Sequence, residues 1–303
     1  MDYHKEIIAI LDFGSQYTQL IARKVRELGV YCEIFPYNFP MHDLVSLKPK
    51  GIILSGGPRS VNESDAPVCD RGIFALDIPI LGICYGLQLT SKLFGGQVEK
   101  SLKREYGKAH IFVEKKDKLL DGIKDGDVVW MSHQDKVLRM PKGFETIAYS
   151  DNSPHAAIKL KEGNIYGVQF HPEVHHTPKG KRILRNFLFK VCKVKGLFSP
   201  KSFVELATEK IKKVVGDGKV VCGLSGGVDS SVTALLIHKA VKQSLHCIFV
   251  DNGLLRKNEV ASVQRTFKGQ FNMNLTTINA EKNFLSRLKG VTNPEEKRKI
   301  IGD

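Results

Sequence analysis

Ile78-Pro79-Ile80-Leu81-Gly82-Ile83-Cys84-Tyr85-Gly86-Leu87 reads as a buried strand that turns sharply into a helix. The run Ile78–Ile83 is short, apolar and rich in isoleucine, as a strand covered on both faces is, and Leu87–Phe94 then takes helical spacing. Between them, G-x-C-x-G matches the elbow that presents a nucleophile at the tip of an α/β sheet, with cysteine in place of serine. The flanking glycines serve a tight turn in which neighbouring side chains would collide. The helix start behind Cys84 favours a thiolate, and the amide of Tyr85 is placed to donate to a developing oxyanion. Gly56-Gly57, in the turn Ser55-Gly56-Gly57-Pro58, offers backbone N–H groups for the same purpose. A lone G-x-C-x-G also surrounds inert buried cysteines, so the rest of the chain has to decide.

Working outward, Ile7–Leu11, Tyr31–Phe35 and Gly51–Leu54 read as further strands. Leu20, Ile21, Val25 and Leu28 form a helical stripe that ends at Gly29. After Gly95-Gly96 come shorter strand-like runs, Val128–Met131, Thr146–Tyr149 and Ile165–Phe170. Thr177-Pro178 then reads as the cap and first residue of a helix running to about Val191. A boundary is expected in Lys193–Ser199, which gives domains 1–195 and 196–303. Beyond it Phe203, Leu206, Ile211 and Val214 mark a helix. Val220–Leu224, the loop Ser225–Ser230, the helix Val232–Val241 and the strand Leu245–Val250 begin a second α/β domain, which the remaining residues do not visibly finish.

Two further motifs carry chemistry. Tyr166-Gly167-Val168-Gln169-Phe170-His171-Pro172-Glu173 puts His171 and Glu173 on one side of a strand end. There His171 can move a proton for Cys84, and Glu173 can orient and charge the imidazole. His175 and His176 crowd the same stretch, but Pro172 prevents helical ligand spacing, so a zinc site is not expected. His133 is a second imidazole whose spacing does not link it to Cys84. In the second domain, Ser225-Gly226-Gly227-Val228-Asp229-Ser230 lies between a strand and a helix. Its free amides, hydroxyls and helix dipole suit phosphate oxygens, Asp229 suits magnesium, and no Walker lysine follows.

The Gly82–Gly86 and Phe170–Val174 stretches together resemble the class I, triad-type glutamine amidotransferases. Asp12-Phe13-Gly14-Ser15-Gln16 and Ser55-Gly56-Gly57-Pro58 fit that family too. The resemblance implies a mixed, mostly parallel sheet flanked by helices, a triad of Cys84, His171 and Glu173, and glutamine held near Gly56, Gly57, Tyr85 and Gln88. The second loop resembles the S-G-G-x-D-S loop of ATP pyrophosphatases, a doubly wound, adenine-nucleotide α-hydrolase-like fold. That implies ATP contacts from Ser225, Gly226, Gly227, Val228, Asp229, Ser230, Val250 and Asp251, with Mg²⁺ brought by ATP and held by Asp229. Lys297–Gly302 resembles a basic segment near the phosphates of that group.

The order of the two domains, from Leu11 to Gly302, is similar to that of the glutamine-hydrolysing GMP synthase family. Its implied substrates are glutamine, ATP and xanthosine 5′-monophosphate (XMP). Two departures stand out. Gln134 replaces a glycine usual in Ser-His-Gly-Asp, and that family continues well past residue 303 into a C-terminal domain through which it forms homodimers. A tRNA-modifying pyrophosphatase-loop enzyme would leave the Cys84, His171 and Glu173 set unexplained, and the other alternative, a truncated ATP- or glutamine-binding module, predicts ligand-induced stabilisation without turnover and indifference to Cys84→Ala.

Composition agrees with an ordinary enzyme. The 303 residues are 42% hydrophobic and 26% charged, with a net charge of +14. The excess is even, with 29 Lys and Arg against 22 Asp and Glu in 1–195 and 17 against 10 in 196–303. No basic arm points to nucleic acid, and no apolar run suits a membrane span. The six scattered cysteines, none in a C-x-x-C pair, suit a reducing cytoplasm, and no organic redox cofactor is expected.

Overall fold

The computed structural model describes residues 6–302. Contacts divide the chain into two compact units, one ending at Ser199 and the other starting at Pro200. The basic connector 193–199 packs on the first unit, where Lys195 N–H donates to Glu6 and Phe198 N–H to Gly29 O.

The first unit alternates strands and helices: β1 (Ile8–Asp12), α1 (Thr18–Glu27), β2 (Cys32–Pro36), α2 (Met41–Ser46), β3 (Gly51–Leu54), β4 (Ile80–Ile83) and α3 (Tyr85–Leu93). It continues through β5 (Gln97–Val113), β6 (Asp127–Arg139), β7 (Phe144–Ser150), β8 (Ala157–Leu160), β9 (Ile165–Val168) and α4 (Gly180–Asn186). The sheet runs β2-β1-β3-β4-β9-β8-β7-β5-β6. Its first five strands are parallel, and the rest are antiparallel. Parallel strands with helices on both faces must be apolar at successive positions. In β1, Ile8 and Ile10 pack with Ile21 and Val25 of α1 on one face, and Ala9 and Leu11 pack with Leu87 of α3 on the other.

Several elements depart from the sequence expectation, among them the helix expected from Val232, which starts at Val228 and takes in the end of the Ser225–Ser230 loop. Val128–Met131 falls within a long hairpin of β5 with β6, whereas Thr146–Tyr149 and Ile165–Phe170 fall in the separate short strands β7 and β9. Helix α4 starts at Gly180, three residues after Thr177, whose hydroxyl oxygen accepts from Trp130 N–H at 3.0 Å instead of from a helix amide, and donates to His171 O at 2.7 Å.

The second unit comprises α5 (Pro200–Val215), β10 (Val220–Leu224), α6 (Val228–Val241), β11 (Leu245–Asp251), α7 (Glu259–Val263), β12 (Asn274–Asn279), α8 (Glu281–Leu288) and α9 (Pro294–Gly302). The three strands pair in parallel in that order. Leu245, Cys247 and Phe249 pack against Ala234 of α6 and Val263 of α7. On the opposite face Val221, Val250 and Ile278 are exposed. Among the described residues no helix is long and apolar enough to cross a membrane.

Packing is tight at the β4–α3 junction. A Cβ on Gly82 would lie 2.5 Å from Gly86 C and 2.7 Å from Leu87 N, both of them backbone atoms that cannot swing aside. Gly82→Ala is therefore expected to lower unfolding stability by about 1–3 kcal/mol, the cost of overpacking a tight core. Chemical denaturation checks this, and a midpoint equal to that of the parent protein would show that the junction has slack.

Candidate active site

Cys84 caps α3 with φ +52° and ψ −102°, a left-handed backbone that a cysteine adopts only under constraint. Its N–H donates to Val168 O at 2.8 Å, and its carbonyl accepts from Gln88 N at 3.1 Å. One bond ties it to β9 and the other to α3. A Cβ on Gly86 would lie 2.5 Å from Leu54 O, so glycine there lets α3 press onto β3. Sγ is left facing a cavity of about 810 Å³, which Gly57, Gln88 and His171 also line.

His171 reaches Cys84 through strand register. β4 and β9 pair with Gly82 opposite Gly167 and Ile83 opposite Val168, so both segments leave the sheet at the same edge. His171 N–H then donates to Trp130 O at 3.0 Å, and Trp130 N–H donates to Thr177 Oγ1 at 3.0 Å, which holds the histidine backbone against β6. The imidazole Nδ1 lies 2.7 Å from Glu173 Oε1, and both side chains are buried. The ring of Tyr17 meets the imidazole edge-on with centroids 5.2 Å apart. A Cβ on Gly56 would stand 3.1 Å from His171 Cε1, so that glycine makes room for the ring.

Ser55 shapes the Gly56-Gly57 turn by accepting from Phe13 N at 3.0 Å and donating to Gly56 O at 2.8 Å. Tyr85 begins α3, where the first amides have no intrahelical acceptor. Its phenol donates to Pro67 O at 2.6 Å, away from the cavity. Gly56, Tyr85 and Glu173 thus stand behind the cavity wall rather than in it. Gln88 donates to Asp135 O at 2.7 Å.

β6 contributes residues that the sequence reading did not connect to Cys84. Val129, Met131, His133, Asp135 and Val137 alternate inward, and His133 and Asp135 line the cavity. That period of two was legible, but it runs through polar residues. Asp135 also accepts a hydrogen bond from Ser60 across the cavity mouth. Gln134 lies in β6 outside the left-handed region, with its side chain exposed along the cavity, so replacing glycine there strains no backbone. His175 and His176 are exposed, and His176 stacks on Trp130 at 4.3 Å.

In the second unit, Ser225 and Ser230 close the loop on itself. Ser225 N–H donates to Ser230 Oγ at 3.2 Å, Gly227 N–H to Ser225 Oγ at 3.3 Å, and Ser230 Oγ to Gly227 O at 3.2 Å. Gly226 takes φ +77°. Ser225 and Val250 line a cavity of about 450 Å³, whereas Gly226, Gly227, Val228, Asp229 and Ser230 lie outside its lining. Asp251 also lies outside, and it accepts from Gly253 N–H at 3.0 Å. Lys297–Gly302 falls in α9, where Arg298 pairs with Glu295.

The profile of the family described as "Glutamine amidotransferase class-I" matches residues 9–191, and that described as "NAD synthase" matches residues 201–299. The chain belongs to the class-I glutamine amidotransferases. Its relatives include the "GMP synthase [glutamine-hydrolyzing]" of Acetivibrio thermocellus, 55% identical over 99% of this chain and 59% of that one. The protein of that name from Staphylococcus carnosus is 53% identical over 100% of this chain and 59% of that one. The chain therefore spans 59% of the length of these relatives. A Thermoplasma acidophilum protein of known structure, provisionally described as one subunit of a GMP synthase, is 33% identical over 66% of this chain and 96% of that one, with a TM-score of 0.58. A Thermotoga maritima glutamine amidotransferase shares the fold, with 17% identity, a TM-score of 0.52, and coverage of 63% of this chain and 100% of that one.

Electrostatics in this cavity favour a charged histidine. Burial alone opposes protonation of His171, but the Cys84 sulfur and the Glu173 carboxylate outweigh it and hold the imidazole well above its ordinary 6.5. An anion beside a base stabilises its charged form and raises its pKa, so removing either anion must lower it. An NMR titration of labelled histidine is expected to find His171 still protonated above neutral pH. Its midpoint should fall in Cys84→Ser and again in Glu173→Gln. A midpoint at or below 6.5 in the parent protein would show that burial dominates.

Proposed function

We propose that the first unit hydrolyses glutamine to glutamate and ammonia through a thioester on Cys84. The observation that carries this reading is the strained cysteine at a helix start, sharing one cavity with a buried histidine that a carboxylate backs from behind the wall. The Cys84 thiolate attacks the carboxamide carbon, and the amides of Tyr85 and Gly57 receive the oxyanion. His171 gives its proton to the departing ammonia, then takes one from the water that cleaves the thioester and restores the thiolate. Glu173 keeps the imidazole oriented and charged. Gln88 has its N–H groups engaged, so it meets glutamine through Oε1.

For the whole protein we propose glutamine-hydrolysing GMP synthesis, a carbon–nitrogen ligation. XMP is adenylated by ATP with release of pyrophosphate, and ammonia from Cys84 displaces AMP to leave GMP. The order of the two units and the length-wide likeness to proteins of that name support this. Ser225–Ser230 suits the phosphates. Asp229 is exposed in the first turn of α6 and makes no side-chain hydrogen bond or ion pair among the described residues, which fits a role in holding Mg²⁺. Magnesium would supply charge neutralisation on the phosphate oxygens. A homodimer in the cytoplasm completes the proposal.

Ammonia release from glutamine tests it, comparing the chain with Cys84→Ala, each with and without ATP, Mg²⁺ and XMP. Loss of the nucleophile should cost at least about 10³-fold. Stimulation by the nucleotides is expected if the second unit signals to the first. Equal, slow release from both proteins in every condition would overturn the reading.

A further inference from the structure

Behind Cys84 runs a short chain of buried amides that the triad does not use. Gln169 directly follows β9, is 1% exposed, and donates its backbone N–H to Ala156 O at 2.8 Å. Its side-chain Nε2 lies 3.8 Å from Cys84 Sγ, within range for a sulfur acceptor. Gln88, 3% exposed, donates from Nε2 to Asp135 O at 2.7 Å and to Gln169 Oε1 at 3.4 Å. This relay of amides has a single polarity. A backbone carbonyl can only accept, so Asp135 O decides which end of the Gln88 amide faces β6. The second N–H of Gln88 then requires an oxygen from Gln169, which turns the Gln169 NH₂ toward the sulfur. Flipping Gln169 would set two buried NH₂ groups face to face, and flipping Gln88 would set its oxygen against the oxygens of Asp135 and Gln169.

We propose that Gln169 is a fourth member of the catalytic cluster, an N–H donor that stabilises the Cys84 thiolate, with Gln88 as the residue that aims it. The proposal rests on reading Cys84 as the nucleophile. A thiol has its own proton to give, and Ser132 O lies 3.8 Å from Sγ to receive it. A thiolate can only accept, so a donor fixed beside it favours the charged form. Such help is greatest in a buried site, where water cannot replace it.

The test uses Gln169→Leu and Gln169→Glu in a Cys222→Ser background, since Cys222 is the one partly exposed cysteine among the six. Glutaminase kinetics and the rate of iodoacetamide alkylation near neutral pH are measured, with the modified residue located by mass spectrometry. Burial pushes the Cys32 and Cys247 thiols up to about 11, Cys69 to about 12 and Cys192 further, so these stay protonated and unreactive. Gln169→Leu is expected to slow both kcat and Cys84 alkylation about tenfold, with KM changing less than about twofold, as loss of one charge-assisted hydrogen bond implies. Gln169→Glu keeps the shape but faces the sulfur with a carboxylate, and should slow both by about a hundredfold. Gln88→Met, which frees the Gln169 amide to turn, should slow alkylation as Gln169→Leu does, and it carries the test if Gln169→Glu fails to fold.

A residue that only fills space would rank the other way, with glutamate near the parent and leucine worse. That ranking, or parent-like rates in every variant, overturns the proposal. If instead Cys84→Ala releases ammonia at the parent rate, or alkylation leaves Cys84 untouched, the nucleophile reading itself fails, which is a separate result.

Discussion

The backbone of Cys84 is the constraint on which the first unit is organised. A non-glycine residue at φ +52° is a strained state, typically costing about 1–3 kcal/mol, and it persists only where the surroundings allow no alternative. Here the alternatives are closed on each side. Val168 holds the N–H, Gln88 holds the carbonyl, and Gly82 and Gly86 bring backbone against backbone so closely that relaxation at Cys84 would drive α3 into β3. Tyr85 to Ser91 are all buried, so the helix cannot slide to relieve the turn. The bond to Val168 has a second effect. It fixes β9 against β4, and with it the point from which the chain runs on to His171. The strain that exposes the sulfur and the register that delivers the histidine are consequences of one hydrogen-bonded junction.

Burying an ion pair is the second demand, and the site meets it unevenly. Glu173 is fully buried, and its Oε2 has no hydrogen-bond partner among the described residues while Oε1 faces His171. An ionised carboxylate so placed is costly unless a cation compensates it. A protonated His171 supplies that cation, and the sulfur on its other side reinforces it. Charge on each member therefore favours charge on the next. Thr177 and Trp130 act on this arrangement through the His171 backbone, since neither touches the imidazole through the bonds that bind them. Positioning and charging of the histidine are thus separate tasks, carried by different residues.

How far the sequence could be read follows from the same physics. β1, β3, β4 and β9 are apolar at successive positions because both faces are covered, and such runs stand out. The elbow was legible because steric crowding leaves glycine the sole residue for two fixed positions. The β5–β6 hairpin was not, because Glu99-Lys100-Ser101-Leu102-Lys103-Arg104-Glu105 has no apolar alternation to mark a strand. β12, Asn274-Leu275-Thr276-Thr277-Ile278-Asn279, buries only Leu275, since its other face is open. Thr177 looked like a helix cap because threonine before proline usually is one. Its use as a backbone clamp depends on β6, a partner remote in sequence. Gln169 lies between Tyr166 and Glu173, but its relation to Cys84 is a contact across two parallel strands that no local spacing encodes.

The second unit poses a different physical problem. Parallel sheets are normally covered on both faces, yet Val221, Val250 and Ile278 lie exposed opposite the face that carries α6 and α7. The phosphate-type loop does not wait on that cover. Ser225, Gly227 and Ser230 bond to one another, and Ser231 donates to Gly227 O at 2.7 Å, so the loop's shape is set by residues within seven positions of sequence. A cradle built from local bonds keeps its form whatever packs on the open face. A cavity built from Val221, Ile248 and Val250 does not, because its walls are the exposed apolar face itself. The loop and the cavity therefore have different structural requirements in this unit. The shape of the first is set within the loop, and the walls of the second are open to whatever packs on the exposed face.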